Sequence, residues 1–360
     1  MGSEQRRIEW IDYVRAFAII CVVLCHATQG IYSMDLNPVL SLSTRSRIFL
    51  FSSFTFGRLG VPLFLMITGS LLLSREYDSS RIISFWENSW LHLLLCVIFW
   101  FVVYDVFLSL YSHQSFNTIQ ILEEFLFLRK VNMSHVWYLP MILGMYILIP
   151  FVAGTLNRYD AKIFILPLII YTFYAFVPPV LNVIFRAYAM DTVSNQFSYG
   201  FSGGEFGLYI IFGYFISKKS IFKRFKTSIV ALLLIAGFAA VVYLQSWSYS
   251  KNVEYAVWYN NFLLLITTMC LYELFSRIKK NYFYNVIKYV SVYSFPVYLT
   301  HNIIRSFIKK YVASLQIIKP LQVLSLWGIC FAGGLIMSIF IRKIPILGDY
   351  ILYIKKPKHQ

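Results

Sequence analysis

Ser228 to Ser246 reads SIVALLLIAGFAAVVYLQS, an uncharged run that follows the basic residues Lys223, Arg224 and Lys226. A bilayer core takes about 20 apolar residues to cross as a helix, so this stretch predicts a transmembrane span. Its basic flank predicts that it enters from the cytoplasmic side, where Lys and Arg accumulate. Similar stretches recur from one end of the chain to the other. Over 360 residues, 59% are hydrophobic, 19% aromatic and only 13% charged, and the mean hydropathy is +0.65. A soluble domain carries about 25% charged residues to clothe its surface. Lipid must therefore supply much of the surroundings, and the predicted fold is an all-α polytopic membrane bundle.

Ten helices are expected, at about 10–32, 51–73, 88–111, 136–155, 163–183, 204–217, 228–246, 256–276, 286–307 and 321–342. Ten spans place both termini on one side. Of the 32 Lys and Arg, 20 fall on that side and 10 on the other, with Arg15 and Arg58 left within or at the edge of helices. This bias predicts cytoplasmic termini. It also accounts for the net charge of +16, which in a soluble protein would point to nucleic acid. The chain reads as a single domain over 1–360, with the bundle over about 8–343 and a basic cytoplasmic tail over 344–360. Arg6 and Arg7 precede a full-length apolar helix without a small-residue cleavage site, which reads as a retained first span. The five cysteines all lie in apolar stretches without C-x-x-C spacing, so neither disulfides nor zinc are expected. The sixth span is short and opens in Gly203-Gly204-Glu205. Before it, Arg186 to Gly203 forms a polar, aromatic outer loop (Asn195, Gln196, Tyr199) that either covers a polar ligand or only connects two helices. No repeat relates the halves, which counts against inverted-repeat transporter folds.

The first helix carries the chemistry. Arg15 and His26 are eleven residues apart, about three full turns, so they share one face about 16 Å apart along the axis. Asp12 lies three residues before Arg15, within reach of a same-face ion pair. Each such charge costs about 2.5–3.5 kcal/mol at a helix centre on translocon scales. The stripe therefore has to face the bundle interior or a wet cavity. A neutral histidine can take a proton from a hydroxyl attacking a thioester. An arginine nearer the cytoplasm can grip the phosphates of a coenzyme A donor. Cys25 points about 100° away from its neighbour His26 and reads as packing.

Elsewhere, His301 has Asn302 beside it and Arg305 one turn on, and Pro296 should loosen the helix just before it, freeing a carbonyl. This could be a second polar focus on the same cavity or a packed histidine near the outer interface. Trp137 and Tyr138 sit at a helix start, where aromatic belts are routine. Arg58 opens the second span between Gly57 and Gly60, glycines that permit close helix packing, and could meet a phosphate or a lipid head group. Asp105, Glu205 and Glu273 are the other acids in or edging helices, and any of them could orient His26. His92, His113, His135 and His359 show no metal-ligand pattern.

Four segments resemble the acyltransferase-3 family of bacterial integral-membrane acyltransferases. Ile8 to His26, IEWIDYVRAFAIICVVLCH, is similar to its first-helix pattern of Asp, Arg and a histidine eleven residues after the Arg. Gly57 to Leu72, GRLGVPLFLMITGSLL, resembles "R-x-x-V-P-L-F-F-M-I-S-G-Y-L-F", with Thr68 in place of Ser. His135 to Pro150, HVWYLPMILGMYILIP, resembles "H-L-W-F-L … Y-L-L-x-P". Ser294 to His301, SFPVYLTH, resembles "S-x-G-I-Y-x-x-H", with Pro296 in place of glycine. Within the family, the chain looks most like the branch containing the enterobacterial common antigen O-acetyltransferase.

The resemblance implies a ten-helix enzyme of the bacterial inner membrane. It would move an acetyl group from acetyl-CoA, as substrate and not as bound cofactor, to a hydroxyl of an envelope glycan. It makes His26 the catalytic candidate, with Arg15 and Asp12 beside it. Arg58, Arg75, Arg81, Trp137, Tyr138, His301 and Asn302 become candidates for binding donor or acceptor, and no metal is implied. The Arg-x-x-R of many members is represented here only by Arg75 and Arg81. Acyl-CoA, a polysaccharide or lipid-linked glycan and the bilayer are the expected partners, without nucleic acid, and homo-oligomerisation stays open. Succinyl is an alternative acyl group. The competing functions are a transporter or flippase for glycan units, because intramembrane charges also mark substrate paths, and a structural partner in an envelope assembly.

Overall fold

The computed structural model describes residues 7–112, 118–131, 133, 135–197, 204–279, 282–345 and 347–354. Among these the chain is helical and without strands. In order it forms α1 (Glu9–Ile31), α2 (Leu36–Leu40), α3 (Thr44–Arg58) and α4 (Gly60–Thr68), the last running into a π-helical turn at Gly69–Leu73. Next come α5 (Ser79–Phe85), a second π-turn (Trp86–Trp90), α6 (Leu91–Ser112), α7 (Thr118–Phe125), α8 (Tyr138–Arg158) and α9 (Ile165–Ala187). The chain closes with α10 (Gly204–Lys219), α11 (Thr227–Ser250), α12 (Phe262–Ser276), α13 (Tyr284–Val292), α14 (Ser294–Ser314), α15 (Lys319–Arg342) and α16 (Gly348–Ile351).

The protein is a multi-pass membrane bundle. Among the described residues, seven helical stretches are long and apolar enough to cross a membrane: Glu9–Ile31, Thr44–Leu73, Ser79–Tyr111, Tyr138–Arg158, Ala161–Ala187, Thr227–Ser250 and Lys319–Arg342. The other three expected spans correspond to α10 and α12, which have only 16 and 15 residues, and to the more polar α13–α14.

Two departures from the expected helices have one cause. The second span starts at Thr44, where Ser43 caps it by accepting from the Ser46 amide, and α3 then breaks at Arg58. Pro62 lies four residues beyond Arg58 and lacks the N–H that would bond the Arg58 carbonyl, while its ring crowds that carbonyl. Pro296 stands in the same relation to Val292, where α13 ends before α14 resumes at Ser294.

α1 lies at the centre, packed by α3, α4, α12, α13, α14 and α15, whereas most of the apolar surface of α9 and α11 faces outward. Glycines set the closest crossings. A Cβ on Gly57 would stand 2.6 Å from the Cys25 Cα, and one on Gly60 2.6 Å from the Ala18 carbonyl oxygen. Part of the stretch expected as a tail folds back: α16 docks on α6, where the Trp100 indole donates to the Ile351 carbonyl at 2.8 Å.

Candidate active site

The polar stripe of α1 is divided between two places. At the end of the bundle where α1 begins, Asp12 is buried and accepts from Arg7 (2.6 and 2.8 Å), Ser291 (2.6 Å) and Tyr284 (2.9 Å). The expected Arg15–Asp12 pair is present but long, at 3.5 Å. The carboxylate of Asp12 thus clamps the start of α1 to α13, and it lies about three turns from His26. Released from a tight pair, Arg15 joins Arg7 and Arg75 in lining a cavity of about 410 Å³. Above these cations the cavity is walled by Tyr138, Tyr146 and Tyr298, and it reaches Val22. Val22 lies one turn below His26 on α1, as Tyr298 lies one turn below His301 on α14. Arg81 does not share this place: it is exposed and paired with Glu76 and Asp78.

Above the cavity, three imidazoles meet. His26 comes from α1, His301 from α14, and His135 from the turn before α8. The ring centroid of His26 lies 5.3 Å from that of His301 and 6.2 Å from that of His135, and His135 and His301 are 5.4 Å apart. His135 and His301 are buried, while His26 keeps some exposure. Asn302 Nδ2 lies 2.6 Å from His135 Nδ1. Arg305 binds the Asn302 side-chain oxygen and donates to the His26 carbonyl at 3.2 Å. The hydroxyl of Tyr104 lies 3.3 Å from His135 Nε2 and donates to the Leu299 carbonyl at 2.8 Å.

Among the described residues Arg58 forms no ion pair with a carboxylate. Its guanidinium is buried among Phe54, Trp258 and Tyr259, at 4.6, 4.5 and 5.1 Å from the ring centres, and it donates to the Tyr259 hydroxyl at 3.1 Å. Trp137 continues this aromatic wall by packing on Phe206, Trp258 and Tyr259. Tyr138 faces the cavity and meets Tyr298 edge-on at 5.6 Å.

The three acids in or edging helices lie elsewhere among the described residues. Among the described residues no ion pair joins a carboxylate to the imidazole cluster. Glu273 holds Arg277 at 2.7 Å, and Glu205 lines a separate small cavity with Asn182 and Asn260. Asp105 meets Glu124 of α7, whose carboxyl is pushed up to about 7 by burial and by the Asp105 carboxyl beside it. In the outer loop, the Asn182 amide clasps the backbone of Val193 at 2.8 and 2.9 Å. Tyr199, His113 and His359 lie outside the described residues.

Sequence reading singled out His26, His301 and Asn302, which the fold brings together, and Arg15 and Arg75, which share the cavity. It passed over His135 and Tyr104, gave Arg7 no role, and placed Arg305 beside His301 without assigning it a partner. The signals were present: His135 begins a quoted block, and Arg305 follows His301 by one turn. Nothing local says that a loop histidine reaches the first helix.

A basic-mouthed cavity that reaches Val22 and Tyr298, one turn below His26 and His301, suits transfer of an anion-tailed, activated group. Neither the curated proteins nor the solved structures compared with the chain yield a match. The family profile described as an acyltransferase domain matches residues 8–343. Spanning nearly all of the bundle just described, that match makes the chain a member of the acyltransferase-3 family.

Proposed function

We propose that this membrane acyltransferase moves an acetyl group from coenzyme A to a hydroxyl of a cell-envelope glycan in the bacterial inner membrane. The observation carrying this reading is the cavity along α1, with Arg7, Arg15 and Arg75 at one end and the foot of the histidine cluster at the other. Arginines bind phosphate bidentately, so the mouth suits the nucleotide end of coenzyme A and the apolar shaft its pantetheine arm. The Lys and Arg bias puts that mouth on the cytoplasmic side, where acyl-CoA is made. The four sequence blocks support the narrower common-antigen branch, and with it an acetyl donor and a glycan acceptor.

In the reaction, His26 takes the proton of the acceptor hydroxyl as its oxygen attacks the thioester carbonyl. The C–O bond forms, the C–S bond breaks, and His26 returns the proton to the leaving thiolate. The aromatic wall of Trp137 and Trp258 offers flat faces of the kind on which sugar rings stack.

The test supplies labelled acetyl-CoA and membrane glycan to the purified protein, comparing wild type with His26→Ala and Arg15→Ala. General-base removal should cost about 10²–10⁴-fold in transfer, with folding checked by detergent size-exclusion. Undiminished transfer by His26→Ala would sink the mechanism. Glycan translocation without acyl turnover would replace it with the flippase reading.

A further inference from the structure

The hydrogen bonds around the three imidazoles determine where each carries its proton. Arg305 can only donate, so the Asn302 carbonyl oxygen must face it. That turns the Asn302 NH₂ toward His135 Nδ1, 2.6 Å away, which must therefore accept. His135 then carries its proton on Nε2. There it meets the Tyr104 oxygen at 3.3 Å, whose own hydrogen is committed to the Leu299 carbonyl. Both nitrogens of His135 are thus occupied.

His301 is held in the opposite tautomer. Its Nδ1 lies 3.0 Å from the Val297 carbonyl and 2.8 Å from that of Tyr298. Carbonyls only accept, so Nδ1 carries the proton and Nε2 is left as a lone pair. Nε2 is buried and has no partner among the described residues, and the whole side chain is 0% exposed. An unsatisfied buried acceptor costs about 1–3 kcal/mol, so its persistence calls for a reason. The partly exposed His26 ring lies 5.3 Å away, centre to centre.

We infer that His301 is the positioning partner of His26. A turn of the partly exposed His26 ring would bring one of its N–H groups onto this unpaired Nε2 and leave the other His26 nitrogen as the base. This rests on the acyl-transfer reading above and gives His301 the part a carboxylate plays in a hydrolase triad. A carboxylate here would be drawn to Arg305, one turn along α14, and a neutral imidazole is not. When the acceptor hydroxyl gives its proton to His26, the charge is shared across two imidazoles. The proton leaves with the thiolate, so both rings end neutral. His135, locked by Asn302 and Arg305, takes no part in the transfer.

The tautomers are measurable without activity. ¹⁵N-histidine spectra of the full-length protein in micelles should show His301 protonated at Nδ1, His135 at Nε2, and His26 protonated on one nitrogen only. His301→Leu should randomise the His26 tautomer and lower kcat at least a hundredfold, with KM for acetyl-CoA unchanged. His301→Gln, whose side-chain oxygen can take the Nε2 position, should restore kcat to within about tenfold of wild type and keep the His26 tautomer. A proton on His301 Nε2 in the wild type would overturn the inference. So would a folded His301→Leu protein with an unchanged His26 tautomer. If wild type transfers no acetyl group, the acyl-transfer reading fails by itself, and the spectra still decide the tautomers.

Discussion

Gly213→Ala tests the tightest reasoning about packing. Gly213 of α10 crosses α4 so closely that an added Cβ would lie 2.1 Å from the Met66 carbonyl oxygen and 2.5 Å from its Cα. Ordinary contact begins near 3.4 Å, so the helices must part by about 1.3 Å. The obstacle is backbone on a buried helix, which cannot swing away as a side chain could. Parting also strains the hydroxyl lattice at the crossing, where Ser70 Oγ donates toward the Gly213 carbonyl at 2.9 Å and touches the Tyr272 hydroxyl at 2.5 Å. Overpacking a fitted site costs about 1–3 kcal/mol, and backbone on both sides puts this one near 3 kcal/mol. Alanine returns about 1 kcal/mol through helix propensity, leaving a net loss of about 2 kcal/mol. At roughly 2–4 °C per kcal/mol, the Tm in detergent should fall by roughly 4–8 °C. Gly144 of α8 is the control, because nothing lies within 4 Å of its added Cβ, and Gly144→Ala should hold or raise the Tm. If the two variants melt alike, the close approach of α10 to α4 is wrong.

Three further outcomes are expected. Arg15→Gln and Arg75→Gln should each raise KM for acetyl-CoA by about 10–100-fold, the worth of charge-assisted bonds of about 1.5–3 kcal/mol, while the exposed Arg81→Gln leaves it unchanged in steady-state assays. Arg58→Met should keep or raise the Tm, since the buried guanidinium has an unbonded Nε and no ion pair among the described residues; a fall of more than about 5 °C would show that the aromatic cage holds the fold together. Glu124 binds its proton more tightly in the folded state, at about 7 against an ordinary 4.5. The stability it lends is therefore present in acid and lost as pH rises through about 7. The protection factors of α7 amides, corrected for the base-catalysed intrinsic rate, should fall between pH 5 and 8 in the wild type and stay level in Glu124→Gln.

Much of the bundle was legible because lipid imposes simple rules. Length and apolarity marked the spans, the spacing of Arg15 and His26 set their common face, and Pro296 foretold a loosened helix by freeing a carbonyl four residues before it. The small residues Gly57 and Gly60 signalled close packing, and they do lie against α1. Neighbours were a different matter. A soluble helix announces its partner with an apolar stripe, whereas helices such as α11 and α15 are apolar on every side, because lipid and protein satisfy them equally. Contacts between such helices rest on shape and on scattered polar groups from distant parts of the chain.

For the site, the sequence by itself determined that an arginine and a histidine share one face of the first helix, and that His301, Asn302 and Arg305 stand together on another. Only the tertiary structure decided that Asp12 goes to Arg7 and Ser291, that Arg81 turns to solvent, and that His135 comes in from a loop. Spacing along one helix is set by covalent geometry and can be read directly. The meeting of three imidazoles from three separate segments depends on how whole helices pack, which no local pattern encodes.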